Sequence, residues 1–388
     1  MNTYAEPPVT FVRGEGSWLF DADGRGYLDF LSGLAVTSLG HAHPVVAEAV
    51  ARQARTLCHV SNLFGNELAP EVAQTIDRLI GGGERAGGQV FFANSGAEAN
   101  ECALKLARRW AGGGRFAVVS TWDAFHGRTL GALAATGQPE KQQAFAPMPD
   151  GFEHVPYDDL AAMEAACQPE RVAAVLVEPI MGEAGVVVPS SDYLGALRQL
   201  CTDRGLLLMV DEVQTGLGRT GTWFAFQQLG IEPDVVTLAK SLGNGMPVGA
   251  CWARAEVAAA FGPGDHGSTF GGQPLALSAA RATLSVLESE DAPGRARRAG
   301  GVLSARLAEL PGVVGVRGRG LLLAALLDSP VAGAACRAAL DAGLVVNAPR
   351  PDVLRVAPSL LVSDEEIDRA AGILFDVLAA QRSTEVHG

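Results

Sequence analysis

Short apolar runs alternate with amphipathic, alanine-rich segments through the middle of the chain. The apolar runs predict six strands, at Gln89–Ala93, Phe116–Ser120, Val172–Val177, Leu206–Val210, Val235–Leu238 and Val248–Trp252. Apolar residues at helical spacing separate most of them, as in Ala97–Trp110 and Tyr193–Asp203. Because strands that alternate with helices form βαβ units, this order predicts an α/β fold with a mainly parallel sheet covered on both faces.

The two ends of the chain follow a different pattern. Residues 11–30 are punctuated by Gly and Asp and predict short antiparallel strands. The C-terminal third predicts helices at 274–289 and 295–310, strands near 321–327, 343–347 and 353–357, and a last helix that begins at the capping box Ser363–Glu366. A chain of 388 residues is too long for one ordinary core, so we expect two unequal domains.

Composition excludes several classes of function. With 48% hydrophobic and 19% charged residues, the chain is typical of a soluble globular protein. The net charge of -13 argues against nucleic acid or an anionic membrane as a partner, because both bind a basic face. The apolar run Leu321–Leu327 is far too short to span a bilayer.

Cysteine spacing and the N-terminus indicate the compartment. The six cysteines are scattered, without a C-x-x-C pair, which favours reduced thiols over a disulfide framework. The opening MNTYAEPPVTF lacks the basic and apolar regions of a signal peptide. We therefore expect a cytoplasmic protein.

The most informative stretch is TLAKSLGNGMPVGA, from Thr237 to Ala250. Here Lys240 ends an apolar run typical of a strand buried on both faces. A buried ammonium is costly, so such a lysine is usually neutralised, paired or used in chemistry. Taken alone, a lysine that extends to solvent at a strand end explains the pattern as well.

Polar and aromatic residues also follow the other predicted strands. Asn94–Asn100 combines small residues with a helix start, which favours an anion site, although Ser95 and Glu98 equally form a plain capping box. Later strands are followed by Phe125 with Arg128, by Glu178–Glu183 and by Asp211–Gln214.

These residues are expected to meet, because ligands in open α/β sheets bind at the carboxyl ends of the strands. An anion cradle, a flat ring, an acid and a strand-end lysine together fit pyridoxal phosphate. Lys240 would form the Schiff base and Asp211 would pair with the pyridinium nitrogen.

Two other motifs have weaker interpretations. Gly216–Gly221 matches the dinucleotide pattern G-x-G-x-x-G, but it begins six residues after the strand and contains the bulky Arg219. We interpret it as a glycine-rich loop. The motif His41-Ala42-His43-Pro44 lacks further ligands at suitable spacing, so a turn is expected and no metal.

At this point the sequence resembles the class III (subgroup II) pyridoxal-phosphate aminotransferases, and within that class it is most similar to the acetylornithine aminotransferases. The resemblance covers nearly the whole chain. Its motifs are Tyr27–Phe30, Gly40–Pro44, Asn94–Glu101, Phe125–Thr129, Glu178–Gly185, Asp211–Gly221, Ala239–Pro247, Gly267–Gly272 and Arg355–Pro358.

The resemblance implies a fold-type I transferase. A large domain at 50–265 would hold a mainly parallel, seven-stranded sheet. A smaller α+β domain would combine the N-terminal segment 1–49 with the C-terminal part 266–388. The active sites would be shared between the two subunits of a homodimer.

The resemblance also implies a role for each matched residue. Lys240 and Asp211 would be catalytic. The cofactor-binding residues would be Ser95, Gly96, Ala97, Phe125, Asp211, Glu212, Val213, Gln214, Lys240 and, toward the neighbouring subunit's cofactor, Thr269. The substrate-binding residues would be Arg128, Glu183, Ser268 and Arg355, with Glu183 pairing Arg355 when no substrate carboxylate is present.

The implied reaction moves the terminal amino group of N2-acetylornithine to 2-oxoglutarate, giving N-acetylglutamate 5-semialdehyde and glutamate in arginine biosynthesis. Leu34 lies where ornithine-specific relatives have a tyrosine, which favours the acetylated substrate. Met181 replaces a common glutamine, and Ala97 replaces a frequent threonine.

Several other functions stay open at this stage. Within the class, the amine donor could be ornithine, succinylornithine, succinyl-diaminopimelate, 4-aminobutyrate or a carrier-linked lysine. Outside it, an NAD-dependent dehydrogenase would use the glycine loop. A non-catalytic regulator that binds pyridoxal phosphate would need a basic DNA-binding segment.

Overall fold

The computed structural model describes residues 1–385, so residues 386–388 of the predicted C-terminal domain lie outside the described residues. The strands are, in chain order, β1 (Phe11–Glu15), β2 (Trp18–Asp21), β3 (Gly26–Asp29), β4 (Gly88–Ala93), β5 (Ala117–Thr121), β6 (Phe152–Val155), β7 (Val172–Val177), β8 (Leu207–Asp211), β9 (Val235–Leu238), β10 (Gly249–Arg254), β11 (Val313–Arg319), β12 (Leu322–Leu327), β13 (Leu344–Val345), β14 (Asn347–Arg350) and β15 (Val353–Val356). The helices are α1 (Ser32–Ala35), α2 (Pro44–Thr56), α3 (Leu68–Ile80), α4 (Gly96–Ala111), α5 (Leu130–Ala135), α6 (Pro139–Gln142), α7 (Leu160–Ala166), α8 (Tyr193–Arg204), α9 (Ala255–Ala258), α10 (Pro274–Ser289), α11 (Ala292–Ala308), α12 (Ala332–Asp341) and α13 (Asp364–Glu385). Short 3-10 helices lie at Gln143–Phe145, Ala225–Leu229 and Lys240–Leu242.

A seven-stranded sheet forms the centre of the molecule, in the order β4-β10-β9-β8-β7-β5-β6. β10 is antiparallel to both of its neighbours, and the other pairs are parallel. The predicted mainly parallel sheet is therefore confirmed. Every residue of β7, β8 and β9 is buried, which explains their unbroken apolar sequences.

The individual strand predictions were incomplete. β6, with the sequence FEHV, was missed because a four-residue edge strand that carries Glu and His has no continuous apolar signal. β11 was missed as well, since its sequence VVGVRGR contains two glycines and two arginines. The helix predicted at 295–310 begins earlier, at Ala292, because Asp291 caps it by accepting from the Gly294 N–H.

The terminal segments share a sheet. β1, β2 and β3 form the predicted antiparallel strands, and β13 from the C-terminal part adds to β3 in parallel. A separate antiparallel sheet has the order β11-β12-β15-β14. The predicted capping box of the last helix is present, since Ser363 and Glu366 exchange side-chain-to-backbone hydrogen bonds of 3.0 and 3.2 Å. The domain limits at 49/50 and 265/266 stay a prediction.

Two further sequence predictions concern local chemistry. The His41 ring pairs with Asp29 at 2.8 Å within a turn, which gives this histidine a structural partner. The six cysteines are all free thiols. Within residues 1–385, we find no helix whose length and apolar character would allow it to cross a bilayer.

Candidate active site

A cavity of ≈ 390 Å³ opens at the carboxyl edge of the central sheet. Ten of the residues predicted from the sequence line it, namely Ser95, Gly96, Ala97, Phe125, Arg128, Glu183, Asp211, Val213, Gln214 and Lys240. A wider groove of ≈ 910 Å³ lies elsewhere, between the α3–β4 loop and the start of α11, and is lined by none of the predicted residues. The smaller cavity is therefore the candidate active site, because the predicted residues line it and not the wider groove.

Lys240 lies two residues beyond the end of β9 and reaches the cavity from the sheet edge. Its backbone has a φ of +39°, a left-handed conformation that costs about 1–2 kcal/mol for a residue with a Cβ. Desolvation lowers the pKa of its amine, and the nearby charge of Arg355 acts in the same direction. Glu183 and Asp211 oppose this shift. A lysine with a lowered pKa is a better nucleophile near neutral pH.

Asp211 ends β8 and is 4% exposed. Its Oδ2 accepts hydrogen bonds of 2.8 Å from the Asn100 amide and from His126 Nδ1, while its Oδ1 accepts from the Val213 N–H at 3.0 Å. Thr237 in turn donates to the Asn100 carbonyl at 2.8 Å. The carboxylate is therefore held in one orientation by three donors at the cavity wall.

The N-terminus of α4 forms the other wall of the cavity. Ser95 caps this helix by accepting from the Glu98 N–H, but the Glu98 carboxylate accepts from the Asn94 N–H rather than from the Ser95 N–H, so only half of the predicted capping box forms. A Cβ on Gly96 would come within 2.9 Å of the Val213 side chain. A Cβ on Gly127 would come within 2.6 Å of the Ala97 Cβ. Both glycines therefore keep the first, positively polarised turn of the helix accessible to an anion.

Arg355 lies on β15 and is 2% exposed. It forms an ion pair of 2.7 Å with Glu183, and it also donates to the Gly182 backbone carbonyl at 3.0 Å and to the Asn347 side-chain Oδ1 at 2.7 Å. Burial would raise the pKa of Glu183, but the charge and hydrogen bond of Arg355 outweigh it, so that pKa is lowered. Glu183 is ionised at neutral pH as a result.

Four of the predicted residues lie outside the lining of the cavity, namely Glu212, Ser268, Thr269 and Arg355. Arg128 is exposed and its guanidinium lies 5.6 Å from the centre of the Phe125 ring. Glu212 does not line the cavity, because its buried carboxylate accepts from Thr215 and from the Phe226 N–H instead. Ser268 and Thr269 also lie outside its lining, as expected for residues that would serve a neighbouring subunit.

Sequence comparisons identify the family. The model of the family described as Aminotransferase class-III matches residues 1–378. The acetylornithine aminotransferase of Corynebacterium efficiens is 48% identical, over 98% of this chain and 94% of that protein. The acetylornithine aminotransferase of Mycobacterium tuberculosis is 51% identical, over 97% of this chain and 94% of that protein. The chain belongs to the class-III aminotransferases.

Solved structures agree with this class-III aminotransferase fold. The ornithine aminotransferase from Toxoplasma gondii has a TM-score of 0.93 and 36% identity, and covers 99% of this chain and 93% of its own. The acetylornithine aminotransferase from Elizabethkingia anophelis has a TM-score of 0.86 and 34% identity, and covers 98% of this chain and 96% of its own. The fold-type I architecture expected from the sequence is therefore confirmed.

As a class-III aminotransferase, the protein depends on pyridoxal phosphate, and the cavity fits this group. The glycine-bounded start of α4 suits the phosphate, and the Asp211 carboxylate suits a protonated ring nitrogen. Gln214 Oε1 is buried without a hydrogen-bond partner among the described residues, so it is available to a bound polar group. Lys240 lies in the same cavity as these groups.

Sequence reasoning gave no role to three residues of this class-III aminotransferase site. Asn100, His126 and Glu178 line the cavity beside the predicted residues. Each lies inside a motif that the sequence analysis recognised, but each also has a hydrogen-bond partner in a distant segment of the chain, which the motif alone does not reveal. Glu178, for example, accepts from the Phe125 N–H at 2.9 Å and from the Gly182 N–H at 3.2 Å. Burial raises its pKa to about 7.

Proposed function

We propose that this class-III aminotransferase moves the terminal amino group of N2-acetylornithine to 2-oxoglutarate, as a step of arginine biosynthesis. The observation that carries the proposal is the 2.7 Å ion pair between Arg355 and Glu183, which lines the same cavity as Lys240. The charge of Arg355 is near enough to help lower the pKa of the Lys240 amine. Curated relatives with 46–51% identity over nearly the whole chain are acetylornithine aminotransferases, which supports the choice of amine donor.

The residues of the chain divide the work as follows. When bound, pyridoxal phosphate supplies an electron sink for the carbon that gains or loses the amino group. Lys240 would hold the cofactor covalently, and its amine would move the proton at the reacting carbon. Asp211 would place a negative charge at the ring nitrogen, and Phe125 and Val213 would enclose the ring. The first turn of α4, at Gly96 and Ala97, would bind the phosphate.

The Glu183–Arg355 pair explains how one site accepts two unlike substrates. Acetylornithine reacts at a terminal carbon without a carboxylate beside it, whereas 2-oxoglutarate reacts next to one. In the pair, the Glu183 side chain is 35% exposed and the Arg355 side chain only 2%. Glu183 is therefore the partner with room to move. We propose that it covers Arg355 in the first half-reaction and releases it in the second.

Arginine substitutions are expected to separate the two half-reactions. Arg355→Ala removes the contact to the carboxylate beside the reacting carbon, so it should damage the 2-oxoglutarate half-reaction selectively. Arg128→Ala removes the contact to the distal carboxylate and should damage both halves. Loss of a charge-assisted contact of about 2–4 kcal/mol corresponds to roughly 30- to 1000-fold in kcat/KM. Single-turnover kinetics with each substrate measures both effects.

Arg317→Ala is the matched control for this experiment. Arg317 lies on β11 of the same sheet and donates to the Gly185 carbonyl of the same loop at 2.9 Å, but the ion pair of Glu183 is with Arg355 and not with Arg317. It should leave the ratio of the two half-reactions unchanged. Equal losses in both halves for Arg355→Ala would contradict the proposed gate.

The amine donor itself is tested on the unmodified enzyme. We expect a kcat/KM for acetylornithine at least ~10-fold above that for free ornithine, because Leu34 offers no hydrogen bond to a free α-amino group. The structural similarity to an ornithine aminotransferase makes ornithine the second candidate. Initial rates with 2-oxoglutarate and a panel of amines decide between them. A preference for ornithine would refute the proposed substrate while leaving the aminotransferase reaction intact.

We propose a cytoplasmic homodimer with shared active sites. The support is an exposed apolar surface beside Ser268 and Thr269, in which Leu63 is 85%, Phe64 71% and Phe270 57% exposed. Asn62 ties the two segments together by donating to the Ser268 carbonyl at 3.0 Å. Free cysteines fit a reducing compartment. Sedimentation velocity should show a dimer, and a fully active monomer would contradict the shared site.

A further inference from the structure

Arg219 is a charged residue for which the proposed reaction has no use. It lies in the glycine-rich loop Gly216–Gly221 and is 0% exposed. Burial lowers its pKa to about 9. No carboxylate of the described residues forms an ion pair with it, and its charge is stabilised by hydrogen bonds to carbonyl and hydroxyl oxygens. A buried cation without a counter-ion is costly, so we expect the contacts of Arg219 to serve a function.

Two of these contacts reach the sheet that carries Arg355. Arg219 Nη1 donates to the Leu321 carbonyl at 3.1 Å and to the Pro358 carbonyl. Leu321 directly precedes β12, and Pro358 follows β15 by two residues. These two strands pair with each other, with Ala324 opposite Arg355. The guanidinium therefore binds both strands at the same end of the ladder that holds Arg355.

The backbone of the loop packs against the same segment. The Leu321 N–H donates to the Arg219 carbonyl at 2.9 Å. A Cβ on Gly320 would come within 2.6 Å of that carbonyl oxygen. This close approach explains why the chain needs glycine there and shows that the loop and the sheet are in direct contact.

The third contact leads toward Lys240. Arg219 Nη2 donates to Ser38 Oγ at 2.8 Å, and Ser38 Oγ lies 2.6 Å from Ser241 Oγ. Ser241 follows Lys240 and donates to the Ala35 carbonyl at 3.1 Å. Since the Ser241 hydroxyl uses its only hydrogen on the Ala35 carbonyl, the Ser38 hydroxyl is the donor in the bond between the two serines. The result is a directional chain of hydrogen bonds that ends at the residue after the left-handed Lys240.

We propose that Arg219 is a positioning residue that fixes Lys240 and Arg355 relative to each other, through Ser38 and Ser241 on one side and through Leu321 and Pro358 on the other. The inference rests on the proposed roles of Lys240 and Arg355. The two groups come from different sheets, and a misplacement of about 1 Å can cost about 10²-fold in rate. One rigid, multiply bonded guanidinium meets this requirement, because its donors point in fixed directions.

The test compares variants that break different parts of the network. Arg219→Met removes all donors, and Ser38→Ala removes only the branch toward Lys240. Arg204→Met is the control, since Arg204 also donates to backbone carbonyls, including that of Cys167 at 2.9 Å, but far from the cavity. Three quantities are measured. The first is the thermal midpoint of the apo-protein, and the second is the rate at which the apo-protein attaches pyridoxal phosphate to Lys240, monitored by absorbance. The third is the single-turnover rate with 2-oxoglutarate, normalised to the amount of bound cofactor.

The proposal predicts a split between these readouts. Arg219→Met should slow cofactor attachment about tenfold and lower kcat/KM for 2-oxoglutarate by about 10–100-fold. Ser38→Ala should slow attachment alone, and the double variant should attach cofactor no more slowly than Arg219→Met. Arg204→Met should lower the thermal midpoint and leave both kinetic readouts within about twofold of wild type.

Several outcomes would overturn the proposal. If Arg219→Met does not fold, Arg219→Lys, which keeps the charge with fewer donors, takes its place in the comparison. Unchanged attachment and unchanged 2-oxoglutarate kinetics in the folded variant, or the same losses in Arg204→Met, would leave Arg219 a purely structural residue. Lys240→Ala and Arg355→Ala are measured alongside. If these two also keep full activity, the proposed function fails rather than the positioning role alone.

Discussion

Replacing Lys240 with alanine is expected to slow turnover by at least ~10³-fold, because the variant loses both the covalent attachment of the cofactor and the amine that moves the proton. The cofactor should still bind, since the first turn of α4 and the Phe125 ring are unchanged. The variant should therefore retain pyridoxal phosphate without the absorbance of a lysine-bound cofactor. Steady-state kinetics with acetylornithine and 2-oxoglutarate, together with a visible spectrum, measures both effects.

Lys105→Ala is the natural control. Lys105 is exposed on α4, the helix that forms the cradle, and it donates to the Asp265 carbonyl at 2.8 Å. Its loss should leave turnover and spectrum close to those of the wild type. Near-normal turnover of Lys240→Ala would contradict this assignment and show that Lys240 has no catalytic role.

Asp211→Asn is expected to reduce kcat by about 10²–10³-fold with a modest loss of cofactor affinity. The substitution keeps the shape of the side chain and removes the charge that stabilises a protonated ring nitrogen. It also turns one acceptor into a donor, so at least one of the hydrogen bonds from Asn100, His126 and the Val213 N–H must be lost. Kinetics at saturating cofactor separates the effect on kcat from the effect on binding.

Asp234→Asn is the control that separates the loss of a charge beside the cofactor ring from the loss of a buried charge elsewhere. Asp234 is 8% exposed, precedes β9 at the opposite edge of the sheet, and accepts from the Leu208 N–H and from Arg198 at 2.7 Å each. Its substitution should lower the free energy of unfolding and leave kcat nearly unchanged. A kcat for Asp211→Asn within a few-fold of wild type would make Asp211 a structural acid like Asp234.

The fold was largely predictable because its central strands are buried on both faces. β7 and β9 have the predicted limits, and their sequences are almost entirely apolar. β6 and β11 were not predictable in this way, since an edge position or partial exposure allows Glu, His, Arg and Gly in a strand. β6 also depends on a neighbour distant in sequence, with Val118 opposite Phe152, whereas β11 pairs with the next strand, β12.

The site was predictable where a residue has to follow a strand, and less so where its role depends on a partner. Lys240 and Asp211 stand at strand ends, so the sheet topology alone brings them to one edge. The bond between His126 and Asp211 could not be inferred, because it joins a loop to the end of β8, and only the packing sets the distance between them. Arg219 illustrates the same limit: its sequence motif suggests a nucleotide, and only its three-dimensional contacts connect it to Ser38 and Pro358.

Reductive trapping tests the central claim most directly, and the chain suits it because its only lysines are Lys105, Lys141 and Lys240. The holoenzyme is reduced with borohydride, digested and analysed by peptide mass spectrometry. We predict that the reduced cofactor is found on Lys240 and that prior addition of acetylornithine, which converts the cofactor to its amine form, abolishes the label. A label on Lys105 or Lys141, or a label on Lys240 that acetylornithine does not remove, would contradict the account.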